Sequence, residues 1–261
     1  MTDVDEDARS TLTVERRDAM ADLVARQGAA RVSELAERFQ VSPTTVRRDL
    51  ETLEQRGTVE RVHGGAVAVR ARERRYRSSV RSMPPYARRI GRAVVDMVDE
   101  GETVFLGPGS LSLEVARSLD DRSRITVVTS GLEIAYWLAV HTSHRLIITG
   151  GQVEGPDLAL VGQVTRDALS SLRADRVILE LGGVSAVEGL TDDSLPQADI
   201  ARTVMEAGAI IVAVVPPERV GRVAAVQIAP VTGVDVIVTG REAPSAYLWD
   251  LSEVGVEIVL A

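Results

Sequence analysis

From Tyr86 to the end of the chain, short apolar, β-branched runs alternate with helix-like segments, and no other feature restricts the fold as strongly. The predicted strands are Thr103–Leu106, Ile125–Val128, Arg145–Ile148, Arg176–Leu181, Ala209–Val215, Val234–Val238 and Val256–Val259. Strands that are joined through helices must cross over the sheet, which favours parallel pairing. The sequence therefore predicts a doubly wound, mostly parallel α/β domain over residues 86–261.

Small residues collect directly after four of these strands. In an open parallel sheet the carboxyl ends of the strands share one edge, and ligands bind in the crevice there. Glycines allow the backbone to approach a ligand closely, and the helix N-termini behind them favour an anion. We therefore expect a phosphate-bearing small molecule in this crevice. The predicted effector-binding residues in these loops are Gly107, Gly109, Ser110, Ser112, Thr129, Ser130, Gly131, Gly150, Gly151, Gly182 and Gly183.

The first of these loops, residues 107–112, also imitates a dinucleotide-binding fingerprint. Its third glycine is replaced by Ser112, and no acidic residue closes the next strand near position 127, where a ribose-binding carboxylate is expected. Both departures disfavour a nicotinamide cofactor. We expect the chain to need no cofactor.

Residues 14–69 carry a different pattern, with three helices and a hairpin in order. The first predicted helix covers about residues 14–26 and ends near Gly28. A short helix capped by Ser33 follows. Ser42 and Pro43 then open a third helix that runs to about Arg56, because a polar N-cap followed by proline is a helix start.

Helix geometry separates the third helix into two faces. At about 100° per residue, Val46, Leu50 and Leu53 form one narrow stripe, while Thr44 and the paired arginines lie opposite. This pattern is typical of a recognition helix in the DNA major groove. Alternating residues around a glycine pair predict a β-hairpin wing over residues 58–69. The predicted DNA-binding residues are Ser42, Thr44, Thr45, Arg47, Arg48, Arg61, His63, Gly64 and Gly65.

The stretch Val41-Ser-Pro-Thr-Thr-Val-Arg-Arg-Asp-Leu50, followed by Arg61-Val-His-Gly-Gly-Ala66, resembles the DNA-binding signature of the DeoR family of bacterial transcriptional regulators. The resemblance implies a regulator of sugar metabolism, usually a repressor, that binds operator DNA as a homodimer or homotetramer. It also implies a sensor domain similar to ribose-5-phosphate isomerase and glucosamine-6-phosphate deaminase, responding to a phosphorylated effector.

The sensor half departs from the family pattern at two lysine positions. Family members commonly carry Asp-x-x-Lys-Phe-Gly where this chain reads Pro216-Pro-Glu-Arg-Val-Gly221, and Ala201 stands where a second lysine is expected. The chain contains no lysine at all. We expect Arg219 and Arg202 to hold the effector's phosphate instead, because arginine binds phosphate bidentately.

Charge divides the chain of 261 residues into two parts. Residues 1–92 hold 19 arginines against 14 acidic residues, and residues 93–261 hold 11 against 24. A basic module joined to an acidic one fits a DNA-binding domain attached to a separate sensor. We expect an acidic flexible tail over residues 1–13 and a linker over residues 70–85. No signal sequence or membrane span is expected, so the predicted location is the cytoplasm.

An enzyme of the sugar-phosphate isomerase or deaminase class with an accessory DNA-binding module is the alternative. Asp192 and Asp193 are its candidate acids or bases. The absence of lysine and cysteine removes Schiff-base and thiol chemistry. His141 and His144 stand in a surface-like loop without a metal-ligand partner, so no metal site is expected. Regulation ranks above catalysis on these grounds.

Overall fold

A computed structural model describes residues 3–62, 64–68, 83–119 and 124–261, with the backbone alone for residues 3–12 and residue 15. The chain divides into two compact units, Met1–Ser82 and Met83–Ala261. Residues 70–82 of the predicted linker lie outside the described residues. No helix in the described part of the chain combines the length and the apolar character that crossing a bilayer requires.

The N-terminal unit is the predicted winged helix-turn-helix. Its elements are α1 (Asp3–Gln27), β1 (Ala29–Arg31), α2 (Val32–Phe39), α3 (Pro43–Gln55), β2 (Val59–Val62) and β3 (Gly65–Ala68). The three strands form an antiparallel sheet in the order β1-β3-β2. Its core combines Met20 and Val24 of α1 with Leu35 of α2 and the predicted stripe of α3, so the periodicity of the third helix did identify its buried face.

Helix α1 is longer than the sequence pattern indicates. The sequence predicts a flexible tail over residues 1–13, but the structure begins the helix at Asp3. The acidic residues at positions 3, 5, 6 and 7 then fall in its first turns, and acidic residues are favoured at helix N-termini in general. The same charges that suggest a tail therefore also suit a helix start.

The C-terminal unit alternates strands and helices along most of its length. Its helices are α4 (Pro85–Val95), α5 (Ser110–Ser118), α6 (Leu132–His141), α7 (Gln163–Ser170), α8 (Leu195–Met205) and α9 (Ser245–Glu253), with 3-10 turns at Pro217–Arg219 and Val231–Gly233. Its strands are β4 (Thr103–Leu106), β5 (Thr126–Thr129), β6 (Arg145–Ile148), β7 (Gln152–Glu154), β8 (Ala159–Val161), β9 (Ala174–Glu180), β10 (Gly183–Ser185), β11 (Gly189–Asp192), β12 (Gly208–Val215), β13 (Val226–Ala229), β14 (Val236–Thr239) and β15 (Glu257–Leu260).

Seven of these strands form one parallel sheet in the order β15-β14-β12-β9-β4-β5-β6. All seven are the strands that the sequence predicts. The chain winds outward in one direction from β4 to β6 and in the other from β9 to β15, so the order reverses between β4 and β9. A doubly wound sheet opens a ligand crevice at such a switch point.

The two faces of the sheet bury separate cores. Ile178 of β9 packs on the side of α4, α5 and α6, while its neighbours Val177 and Leu179 pack on the side of α7, α8 and α9. This alternation follows from the pleat of a strand that is covered on both faces.

Two short antiparallel pieces beside the sheet were not predicted. β7 pairs with β8, and β11 pairs with both β10 and β13. All five of these strands have only three or four residues, which is too short for the alternation of apolar and polar residues to stand out. They matter for function because their turns and ends bring acidic residues to the switch point.

Candidate functional site

The start of α3 is fixed by its own cap. The Ser42 Oγ accepts a hydrogen bond from the Thr45 backbone N at 3.1 Å, and the two hydroxyls lie 2.9 Å apart. Pro43 occupies the first turn, where a missing N–H leaves no bond unmade. Ser42 and Thr45 therefore define where the helix begins, whatever else they contact.

The outer face of α3 is open. Thr44, Arg47 and Arg48 are exposed, and Val46, Leu50 and Leu53 on the opposite face are buried. Among the described residues, no ion pair or side-chain hydrogen bond engages the Arg47 or Arg48 guanidinium. Two adjacent arginines on an exposed helix face are available for phosphates or for guanine edges.

A buried carboxylate that sequence reasoning missed fixes α3 against α1. Asp49 is 2% exposed, and its two oxygens accept hydrogen bonds from Arg16 Nε at 2.8 Å and from Arg17 Nε at 2.7 Å. Both arginines also form ion pairs with this carboxylate. The signal in the sequence was an acid placed next to the apolar stripe of an otherwise amphipathic helix.

The predicted wing residues divide into exposed and structural ones. Arg61 is exposed, its backbone N donates to Glu54 Oε1 at 3.1 Å, and its guanidinium lies 3.9 Å from the same carboxylate. Gly64 is exposed at the hairpin turn with φ +86°. Gly65 is buried, and a Cβ there would lie 2.4 Å from the carbonyl oxygen of Ala30. Gly65 thus permits the pairing of β3 with β1 and is not free to contact DNA.

His63, the remaining predicted wing contact, lies outside the described residues.

A cavity of about 310 Å³ opens at the carboxyl ends of β4 and β9, where the strand order reverses. A smaller inner chamber of about 20 Å³ adjoins it and shares Pro108, Glu180, Asp192 and Gln197 with it. We call the two together the switch-point cleft. The predicted effector residues that line it are Gly107, Gly109, Ser110, Ser130, Gly182 and Arg219.

Other predicted effector residues lie beside the cleft and shape its walls. The Thr129 hydroxyl donates to the Leu106 carbonyl at 2.6 Å and accepts from the Gly131 backbone N at 3.0 Å, which fixes the loop after β5. Ser112 is fully buried in the first turn of α5, and its hydroxyl has no partner among the described residues. Gly183 packs against the Arg222 backbone.

Three predicted effector residues lie elsewhere. Thr165 donates from its hydroxyl to the Gly150 carbonyl at 2.8 Å, and a Cβ on Gly151 would lie 2.1 Å from the same hydroxyl. These two glycines therefore pack a turn against α7. Arg202 donates from Nε to the Ile228 carbonyl at 3.3 Å, so it braces β13 instead of reaching the cleft. The sequence places Arg202 beside Ala201, the position where a lysine is expected, but it did not reveal which side of α8 the side chain occupies.

The central group of the cleft is Glu180, which was not predicted. Its Oε2 accepts hydrogen bonds from the backbone N–H groups of Leu111 at 2.7 Å and Ser112 at 3.4 Å, at the N-terminus of α5. Arg219 donates to the Leu181 carbonyl at 3.0 Å and lies 3.5 Å from Glu180 Oε1. The sequence predicts a phosphate at this helix N-terminus, and the structure places the protein's own carboxylate there.

The environment of Glu180 makes its ionised form costly. Burial raises the pKa of this carboxyl to about 7, although the charge of Arg219 and the N–H of Leu111 act in the opposite direction. Its side chain is 7% exposed. The sequence signal was a carboxylate placed directly after the apolar run of residues 177–179 in β9, where a strand that is covered on both faces seldom carries a charge.

Further carboxyls surround the cleft. Burial raises the pKa values of Asp157 and Asp192, and the Asp192 carboxylate accepts from the Ser194 backbone N at 2.8 Å. Asp193 forms a two-pronged pair with Arg222 at 2.8 and 3.0 Å, and this hydrogen bonding lowers its pKa. Among the described residues, no group of three or more carboxylates and imidazoles is arranged to hold a metal ion.

Comparison with protein families and curated proteins matches both units. A model of the DeoR-like helix-turn-helix domain matches residues 16–72, and a model of the DeoR C terminal sensor domain matches residues 86–241. The chain is 28% identical over 247 residues to the glycerol-3-phosphate regulon repressor of Escherichia coli (strain K12), covering 94% of this chain and 98% of that protein. It is 29% identical over 250 residues to the HTH-type transcriptional regulator GlpR of Haloferax volcanii, covering 95% and 98%.

Among solved structures, the full-length sorbitol operon regulator SorC from Klebsiella pneumoniae aligns with a TM-score of 0.41 and 12% identity, covering 92% of this chain and 98% of that chain. The family models together cover most of the chain. The chain belongs to the DeoR family of DNA-binding transcriptional regulators.

Proposed function

We propose that this regulator is a repressor of carbohydrate-metabolism genes, that it binds operator DNA in the cytoplasm through α3 and the wing, and that a small sugar-like effector in the switch-point cleft controls it. The observation that carries the DNA-binding part is the pair Arg47 and Arg48, which are exposed, have no side-chain partner among the described residues, and lie on a helix that Asp49 fixes to α1. Repression is supported by the relatives, several of which are repressors by name.

The DNA contacts that we assign fall into two kinds. Arg47 and Arg48, with Thr44 beside them, face the major groove, where arginine donates bidentately to guanine or binds phosphate. Arg61 and Gly64 of the wing, together with His63, reach the flanking backbone or minor groove. We also assign contacts to Ser42 and Thr45 in the first turn of α3, where backbone N–H groups favour a phosphate.

Oligomerisation follows from the number of bases that one helix reads. A single recognition helix contacts few base pairs, and a symmetric dimer gains affinity from two half-sites about one helical turn apart. We therefore propose a homodimer or homotetramer on an operator with two-fold symmetry. An effector shifts this assembly only if it binds the DNA-competent and DNA-incompetent arrangements with different affinities.

The test is a footprint of the full-length protein on DNA upstream of its own gene at several salt concentrations. Protection at low salt that weakens as salt rises supports the proposal, because each phosphate contact releases counterions. The absence of any protected sequence at low salt would contradict it.

Two variants test whether Arg47 and Arg48 contact the DNA. Arg47→Ala and Arg48→Ala are expected to abolish protection or to lower its salt dependence by about one counterion for each phosphate that the arginine no longer neutralises. Arg173→Ala, which removes an exposed arginine of the other unit, is the matched control and should leave protection unchanged. Unchanged protection in both α3 variants would refute their assignment.

Catalysis is the second candidate function, and one observation favours it. Glu180 and Asp192 are carboxyls with raised pKa values in one cleft, which is an arrangement that proton-transfer enzymes use. The test is incubation of the full chain with sugars and sugar phosphates followed by NMR of the products. Isomerised product that Glu180→Gln abolishes would place catalysis above regulation.

A further inference from the structure

The switch-point cleft already contains a carboxyl group where an incoming anion would bind. Backbone N–H groups at a helix N-terminus carry partial positive charge and are a common phosphate site. In α5 the first of these groups donate to the Glu180 carboxylate, through Leu111 at 2.7 Å and Ser112 at 3.4 Å. The space for this carboxylate exists because residue 109 is glycine, since a Cβ there would lie 2.3 Å from Glu180 Oε2.

The remaining charges of the cleft also disfavour an anion. Its described lining carries five carboxyl side chains: Glu154, Asp157, Glu180, Asp192 and Asp193. The single guanidinium among these lining residues belongs to Arg219, which donates to the Leu181 carbonyl and faces Glu180. A phosphate dianion would enter a site of its own sign, where even screened like charges repel.

The neighbouring cation is engaged as well. Arg222 holds both oxygens of Asp193, at 2.8 and 3.0 Å, and donates to the Gly182 carbonyl. A phosphate that recruited Arg222 would have to break this two-pronged pair. Both Arg219 and Arg222 are therefore already engaged, and neither is available for the role that the sequence suggests for Arg219.

The groups that remain suit hydroxyls. Carboxylates and the Gln197 amide accept hydrogen bonds, and sugar hydroxyls donate them. Ser130, which lines the inner chamber, is fully buried and its hydroxyl has no partner among the described residues. A buried hydroxyl without a partner marks a place where a ligand group or a water completes the bond. The chamber has room for one such group.

We propose that the switch-point cleft binds an uncharged polyhydroxylated effector, a free sugar or sugar alcohol, and that Glu180 excludes phosphate esters by occupying the N-terminus of α5. This inference rests on the proposed function of the cleft as the effector site. It identifies Glu180 as the residue that determines whether a charged or an uncharged effector can bind. Hydroxyls of the ligand bond to the carboxylates of the rim, and one hydroxyl reaches Ser130.

The first test uses inorganic phosphate as the probe and isothermal titration calorimetry on the full-length protein. The wild-type chain is expected to bind phosphate weakly, and Glu180→Ala is expected to bind it at least about tenfold more tightly, a change equivalent to about 1.4 kcal/mol. Glu180→Gln keeps the side-chain volume and removes the charge, so it covers the case in which the alanine variant does not fold. Glu253→Ala, at an exposed position of α9, is the control.

The second test compares a panel of free sugars and sugar alcohols with the corresponding phosphate esters. We expect the wild-type chain to prefer the uncharged member of a pair, and Glu180→Gln to shift the preference towards the ester. A phosphate ester bound more tightly than its parent sugar by the wild-type chain would overturn the proposal. So would the absence of any gain in phosphate affinity in both Glu180 variants.

The footprint separates this inference from the proposed function. Operator protection that a phosphate ester releases, with no response to free sugars, keeps the regulator and refutes the inference. Loss of protection caused by a free sugar supports both. If no DNA is protected, the proposed function fails, while the calorimetry on the protein alone still decides whether Glu180 excludes phosphate.

Discussion

Glu180→Gln is expected to remove a pH dependence from the stability of the C-terminal unit. Burial raises the pKa of this carboxyl from 4.5 to about 7, so between these values the folded chain keeps a proton that the unfolded chain has lost. Stability therefore falls as the pH rises through this window, is unaffected by the group below it, and stays reduced above it. The total effect is roughly 3 kcal/mol, because each tenfold change in acidity corresponds to about 1.36 kcal/mol.

Glutamine keeps the acceptor that faces the N–H of Leu111 but cannot ionise. The charged contact with Arg219 exists only while Glu180 is ionised, so its effect is already contained in the pKa of about 7. The informative quantity is thus the difference in the free energy of unfolding between the wild type and Glu180→Gln, and how this difference changes with pH. Asp157 and Asp192, whose pKa values burial also raises, titrate in both chains and contribute little to this difference.

Urea unfolding followed by tryptophan fluorescence measures this unit selectively. Both tryptophans of the chain, Trp137 and Trp249, lie within residues 83–261. From about pH 5 to pH 8 we expect the wild-type chain to lose most of the roughly 3 kcal/mol relative to Glu180→Gln. Glu253→Gln, an exposed acid on α9, should follow the wild type. If the wild type and Glu180→Gln differed in their free energy of unfolding by the same amount at about pH 5 and about pH 8, the raised pKa of Glu180 would be refuted.

The other predictions concern the two buried carboxylates and two glycines. Asp49→Ala leaves two arginines without their partner and should destabilise the N-terminal unit by about 3 kcal/mol. Circular dichroism should detect this loss of stability, and tryptophan fluorescence should not. The control Asp22→Ala, at an exposed site, should change the stability little. Gly109→Ala should destabilise the C-terminal unit, and Glu180→Ala should relieve part of that loss, giving a coupling of about 1 kcal/mol or more in a double-mutant cycle. Gly65→Ala should separate β3 from β1 and abolish the footprint; retained protection would show that the close approach of these strands is not what Gly65 provides.

The spacing of apolar residues correctly predicted the buried face of α3 and the strands of the parallel sheet. The stripe of Val46, Leu50 and Leu53 faces the core of the N-terminal unit, and the seven predicted strands form the parallel sheet. These features follow from burial, which imposes a period of 3.6 residues on a helix and continuous apolar runs on strands covered on both faces. The position of the cleft was predictable for the same reason, because parallel strands end at one edge.

The contents of the cleft were not predictable from pattern alone. Glu180 meets the start of α5 only because β9 lies directly beside β4, and the sequence does not give the order of strands. Arg202 contacts β13 because of the rotation of α8, and a comparison of Ala201 with the lysine position of the family does not determine that rotation. Glycines are ambiguous in another way, since Gly65 and Gly151 allow close packing of the protein on itself, and the same property would allow the approach of a ligand.

The two units use a buried carboxylate to opposite electrostatic effect. In the N-terminal unit Asp49 binds Arg16 and Arg17, which holds α3 in place and leaves Arg47 and Arg48 exposed on its outer face. In the C-terminal unit Glu180 accepts a hydrogen bond at the N-terminus of α5 and pairs with Arg219. The N–H groups of α5 and the Arg219 guanidinium are therefore already bound to a carboxyl of the protein itself. Because arginine stays charged at every physiological pH, this engagement does not relax by loss of a proton from the cation. Only protonation or displacement of Glu180 would make the N-terminus of α5 accessible to an anion. This one side chain therefore determines whether a charged effector can bind.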